Sequence, residues 1–236
     1  MGARITTLVG DGQVFEARDL LSPILAERTP FDMLRHIGEP VGACPQKALD
    51  AFLDLIATDR TEGGWVIIQS VLEQTLDRAL SGAFARCRDF IVAADVWYAA
   101  DTLGEGVVGQ ALVRHFQPAL ELLAPWREDD NPWVRRAVGT GVHFWAKRSR
   151  GSAELVPQAK TLLAFLEPVW GEWDVIAVKG VGWGLKTMSR NYPDLVADWL
   201  PGRVGHGHRA LMLRKAMAGL SEEKRETFRV SKTRKV

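Results

Sequence analysis

Two stretches of this chain repeat one another 43 residues apart with no gap, and that period restricts the fold more than any other feature. Residues 118–141, PALELLAPWREDDNPWVRRAVGTG, align with residues 161–184, TLLAFLEPVWGEWDVIAVKGVGWG. Leu120 pairs with Leu163, Leu123 with Leu166 and Pro125 with Pro168, and further on Val138, Gly139 and Gly141 pair with Val181, Gly182 and Gly184. Six identities in 24 positions is a modest score, but the local chemistry keeps the same register. Asn131 and Asp174 fall on one position, and both are residue types whose short polar side chain caps a helix N-terminus; Pro132 then suits the first helical position. Each unit reads as a helix, a break, a capped second helix and a patch of small residues where helices can pack closely. Two helices in about 43 residues is the period of HEAT and armadillo arrays.

The remaining sequence agrees with an all-α chain. QKALDAFLDLIA, WVIIQSVLEQTLDRAL and SAELVPQAKTLLAFL carry apolar residues at three- and four-residue spacing, and no alternating run or hairpin signal appears. LVGDGQ and IGEPVGACP read as loops from their glycines and prolines. The expected architecture is a HEAT-like helical repeat array, an α-solenoid with a concave basic groove. Residues 1–60 would supply N-terminal capping helices and loops, 61–222 the repeat core, and 223–236 a basic, flexible tail of one compact domain.

Composition narrows the function classes. With 47% hydrophobic and 25% charged residues the chain is of ordinary globular type. It has no 18-residue apolar run for a membrane span, and its first residues lack the apolar core of a signal peptide. The two cysteines, Cys44 and Cys87, lie far apart without metal-type neighbours, which suits a reducing cytoplasmic compartment. His206 and His208 in HGH are flanked by glycines, a setting for a loop or a phosphate contact rather than a metal site. No metal and no cofactor is expected, and nothing calls for more than a monomer.

Charge is divided unevenly. Residues 1–130 hold 11 lysines and arginines against 20 acids, net −9, whereas residues 131–236 hold 19 against 9, net +10. A basic half in a nearly neutral chain points to a polyanion read by one part of the molecule. Several cations fall on the second helix of each repeat. Arg135 and Arg136 open the first, near backbone N–H groups that favour anions. Lys179 takes the register of Arg136 in the next repeat, and Arg148 and Lys186 lie further along. Taken singly, each is better explained by a solvated helix face; as a set they are the footprint of a phosphate backbone.

A second constellation lies in DVWYAADTLG. Trp97 and Asp101 are four residues apart, on one face of a helix. A carboxylate beside an indole in an apolar run is costly unless paired or functional. Two readings of the pair stand side by side: Asp101 caps a loop at DTLGEG or pairs with an arginine while Trp97 lies in the core, or both act on a ligand. Trp183, between Gly182 and Gly184, has little cover from its sequence neighbours and is open to the same two readings.

Three segments together resemble the AlkD family of DNA alkylation-repair glycosylases, built from HEAT-like repeats. Trp97 and Asp101 match the tryptophan four residues before that family's catalytic aspartate. Trp133 and Arg136 in NPWVRRAV match a tryptophan–arginine motif, and IAVKGVGWG resembles an I-x-K-A-I-G-W helix with Trp183 at its tryptophan. The resemblance runs from about Trp65 to Val196; in the first motif Val96 and Tyr98 replace a second tryptophan and an extra acid. It implies hydrolysis of the N-glycosidic bond of cationic N3- or N7-alkylated purines in duplex DNA, in the cytoplasm at the nucleoid. It further implies catalytic roles for Asp101, Trp97 and Trp183, phosphate contacts by Arg136, Arg135, Lys179, Arg148 and Lys186, and an acid and two indoles brought to one cation-lined trough. The alternatives from other classes are a non-catalytic HEAT-like DNA-binding protein, for duplex or branched DNA, and a protein-interaction scaffold using the acidic N-terminal portion.

Overall fold

The computed structural model describes residues 1–226. Among them every regular element is helical and no strand occurs. The last part of the expected basic tail, residues 227–236, lies outside the described residues. Internal packing divides the chain into two compact units, with the division between Val107 and Val108.

The first unit opens with α1 (Gly2–Gly10), α2 (Val14–Leu25), α3 (Phe31–Gly38) and α4 (Gln46–Thr58). Of these α2, α3 and α4 pack on α5 (Glu62–Ala94), which Thr61 begins by accepting a hydrogen bond from Gly64 N at 3.1 Å. Trp65 to Leu72 are all buried, Gln69 and Ser70 included, so this part of the helix is enclosed on every side and forms the centre of the unit. Its helical geometry breaks at Ala79 (φ −148°, ψ 50°), beside the Ser81–Gly82 pair. The short α6 (Trp97–Leu103) then packs on α5.

The stretches expected as loops are mostly helical. LVG closes α1 before a turn at Asp11–Gly12, and Glu39–Ala43 in IGEPVGACP form a 3₁₀ helix with Pro40 in its first turn. The glycines there serve close packing rather than chain reversal. A Cβ on Gly38 would come within 3.0 Å of the Ser70 side chain, and one on Gly42 would overlap Gln74. DTLGEG is likewise helical, running from α6 into a π-helical turn at Gly104–Gly109, and a Cβ on Gly106 would overlap Gln69. A π-turn is an insertion that costs regular hydrogen bonds and is often found near functional positions.

The second unit contains α7 (Gln110–Arg114), α8 (Phe116–Leu123), α9 (Pro132–Ser149), α10 (Val156–Leu166), α11 (Val175–Asn191), α12 (Pro193–Trp199) and α13 (Ala210–Ala216). The repeat is visible in it. In both copies a helix runs into a 3₁₀ turn, Ala124–Glu128 or Glu167–Val169, and a capped second helix follows. Asn131 Oδ1 accepts from Trp133 N at 2.8 Å and Asp174 Oδ1 accepts from Ile176 N at 2.7 Å, so both expected caps form. The second helices, α9 and α11, lie side by side with their small residues in contact. A Cβ on Gly139 would overlap the backbone of Gly180, and one on Gly184 would meet Gly139 O at 2.7 Å. Gly182 faces the other way, toward the Lys215 stem on α13.

Candidate functional site

In the first unit the backbone aims Trp97 outward. Asp95 ends α5 in the left-handed region (φ 49°, ψ 41°), which aspartate tolerates better than most residues. Val96 is extended, so the chain turns sharply and α6 begins at Trp97. Arg60 Nη2 holds the turn by donating to Ala94 O at 2.9 Å, a cation at a helix C-terminus. Cys87, buried in α5, lies with its thiol 3.8 Å from Leu103 O and so ties α6 to α5; burial pushes that thiol well above the ordinary cysteine range, so it is no nucleophile. Trp97 is 57% exposed and meets Tyr98 edge-on at 5.7 Å, which removes the core reading of this residue. Asp101 lies inside α6, one turn after Trp97, and is partly exposed. It caps no loop, because DTLGEG forms none.

In the second unit α9, α11 and α13 gather the cations. Arg136 is 9% exposed, with Nη1 donating to Ile176 O at 3.4 Å and its guanidinium 5.9 Å from the Trp133 ring centre. Lys179 is exposed on α11, and Lys186 lies on the same helix, partly exposed. Lys215 on α13 has its pKa lowered, first by burial and then by repulsion from Lys186, Arg136, Lys179 and Arg214. Five positive groups from three helices thus share one region, an arrangement that favours an anion among them. Arg148 is exposed at the end of α9, its guanidinium 5.1 Å from the Phe144 ring centre.

Arg135 is held by an acid and two backbone carbonyls. Its Nε donates to Glu172 Oε2 at 2.6 Å, and Nη1 donates to Asp129 O at 2.6 Å and Asp130 O at 3.1 Å. Glu172 Oε1 in turn accepts from the N–H groups of Trp173 (2.9 Å) and Asp174 (2.8 Å). Arg135 and Glu172 therefore brace the start of one repeat's second helix against the start of the next.

Trp183 has the cover its flanking glycines do not provide. The His143 ring of α9 stacks on it, with centres 3.9 Å apart and planes at 22°. His143 Nδ1 lies 2.7 Å from Thr187 Oγ1, whose hydroxyl donates to Trp183 O at 3.2 Å. Burial first, and then Lys147 and Arg190, lower the His143 pKa to about 4, so the ring is neutral at physiological pH.

Three residues with functional potential were not singled out from the sequence. Lys215 is one of many basic positions until α13 lays it against α11. His143 has no motif around it; its tie to Trp183 crosses 40 residues of sequence. Trp173, 62% exposed immediately before α11, had a usable signal, since it precedes a repeat-register cap and so belongs to a loop. Among the described residues no cluster of histidine, cysteine and acidic side chains suits a metal ion, and no helix is long and apolar enough to cross a membrane. A family model described as DNA alkylation repair enzyme matches residues 33–220. No curated protein and no solved structure matches the chain.

Proposed function

The chain belongs to the DNA alkylation repair enzyme family, and from that premise we propose that it is a DNA glycosylase, releasing cationic N3- and N7-alkylated purines from duplex DNA. Alkylation at either nitrogen gives the base a positive charge and makes it a good leaving group. Breaking its bond to C1′ then builds positive charge on the deoxyribose. Asp101 is the group assigned to stabilise that charge and orient water, an electrostatic role that needs no metal. Trp97 in the first unit and Trp183 in the second are each assigned an electron-rich face for a cationic base, a contact worth about 0.5–2 kcal/mol.

Arg136, Lys179, Lys186 and Arg148 are assigned to phosphates, with Lys215 added to them. Arg135, held by Glu172 and two carbonyls, is assigned the brace between repeats instead. The net −9 of residues 1–130 stands against DNA binding by that portion and already counts the arginines that pair with several of its acids. Asp59 is held by Arg18, Asp32 by Arg35, and Asp50 and Asp54 by Arg86.

The observation that carries the reading is the pair on α6: an exposed indole and, one turn on, a carboxylate inside the helix, where there is no loop for it to cap. The experiment is direct. Methylated duplex DNA is incubated with the native chain and with Asp101→Asn, and free 3-methyladenine and 7-methylguanine are measured. The native chain is expected to release at least one and the variant neither at a comparable rate. Release by neither protein, with salt-dependent binding retained, leaves the non-catalytic DNA binder; loss of salt-dependent binding as well leaves the scaffold.

A further inference from the structure

The stack beneath Trp183 bears on how a damaged base is told from an intact one. We propose that His143 is a positioning residue that sets specificity: it seats Trp183 and covers one face of the indole with its imidazole ring, leaving the rest of the indole to a cationic base. This rests on the lesion-binding role given to Trp183 above.

Position comes first. His143 is 8% exposed, and its ring lies 3.9 Å from the indole at 22°, close to parallel. The hydroxyl of Thr187 donates to Trp183 O, so toward His143 it acts as acceptor and the imidazole proton lies on Nδ1. One threonine therefore orients the histidine ring and bonds to the backbone of the tryptophan. Gly180 and Gly184 bring α9 and α11 close enough for the rings to meet. Trp183 is partly exposed with this stack in place.

Charge is the second part. The groups that act on the ring are Lys147 on its own helix and Arg190 on α11, both positive, and with burial they disfavour imidazolium. A protonated ring in this position would itself be a cation over the indole. It would take up the π attraction that the lesion needs and would repel a second cation across the ring system. Held neutral, it adds stacking contact and leaves that attraction available.

The test uses the whole chain and two duplexes of one sequence, one with a single 7-methylguanine and one unmodified. Asp101→Asn serves as background so that no base is lost during the measurement. The preference for the methylated duplex is compared in this background, with Trp183→Leu added, and with His143→Asn added, which keeps an N–H for Thr187 and removes the ring. Both additions are expected to lower the preference roughly 3- to 30-fold. With His143→Asn the affinity for unmodified DNA is expected to stay within about twofold, since phosphate contacts carry it. A preference lost with Trp183→Leu but kept with His143→Asn overturns the role of His143 and leaves the lesion-binding role of Trp183 standing. A preference kept in both, or absent from the background protein, overturns both.

A second readout depends on neither DNA nor the asparagine variant. The fluorescence of the native chain minus that of Trp183→Leu isolates the Trp183 indole, which a stacked imidazolium quenches. The difference is expected to fall with a midpoint near pH 4. A flat signal, or a midpoint in the ordinary histidine range near pH 6.5, overturns the neutral stack.

Discussion

Trp97 and Trp183 are both tryptophans on helices lined with small residues, yet they are held in opposite ways. Trp97 stands at the first position of α6, 57% exposed, and its place follows from two backbone conformations before it, left-handed at Asp95 and extended at Val96. Trp183 lies in the middle of α11 and is fixed from outside, by the His143 ring of the neighbouring repeat. The first placement is local and leaves the indole adaptable. The second is a tertiary contact that fixes the ring plane before any ligand arrives. A rigid platform suits recognition by stacking, because little ordering remains to be done on binding.

The contrast can be broken or sharpened by substitution. The largest expected effect is chemical: Asp101→Asn should lower base release by about 10²- to 10³-fold, measured in single-turnover assays, with duplex affinity nearly unchanged. Release within a few-fold of native would remove Asp101 from the chemistry. Next is the packing that supports the Trp183 stack. Gly139→Val forces a side chain into the backbone of α11 and should destabilise the second unit by about 3 kcal/mol or more, read by urea denaturation.

The pH dependence of the stack comes third, and its direction follows from proton binding. His143 has a lowered pKa in the folded state, so between about pH 6.5 and about pH 4 the unfolded chain binds the extra proton. Stability should therefore fall as pH drops through that window and level off below it. The part that disappears in His143→Asn should be on the order of 3 kcal/mol. A profile identical in the variant would contradict it.

Smaller effects separate the two indoles themselves. Trp183→Ala should cost about 2 kcal/mol of stability by losing the stack and half-buried area, whereas Trp97→Ala should cost less than about 0.5 kcal/mol. Equal losses would erase the distinction drawn here. Smallest per site, Lys179→Ala and Lys186→Ala should each flatten the dependence of log affinity on log salt by about one charge, with no change in sequence preference.

Much of the helical organisation was legible in the sequence. Asn131 and Asp174 cap their helices as the 43-residue register requires, and of the glycines aligned by it Gly139, Gly182 and Gly184 lie where helices pack closely. The loop readings of IGEPVGACP and DTLGEG failed because glycine has two uses. It permits unusual backbone angles, and it also removes a side chain where another element must approach. Local sequence does not distinguish the two, and here Gln74 and Gln69 occupy the space that a Cβ would need.

The cation set shows the same division. Arg135 and Arg136 are adjacent and alike in sequence, yet one braces two repeats through Glu172 and the other lies among Lys179, Lys186, Arg214 and Lys215. Neighbours on a helix point about 100° apart, so their partners come from different parts of the fold.

By itself the sequence determined what depends on nearby residues: helix starts, their caps, the repeat period, and a carboxylate one turn from an indole. These follow from backbone geometry within a few residues. Only the tertiary structure decided which ring covers Trp183, that His143 is neutral there, and that Arg135 is engaged by an acid. Those facts join residues 37 to 44 positions apart through the packing of α9 on α11, and their energies come from burial and from charges that no local window contains.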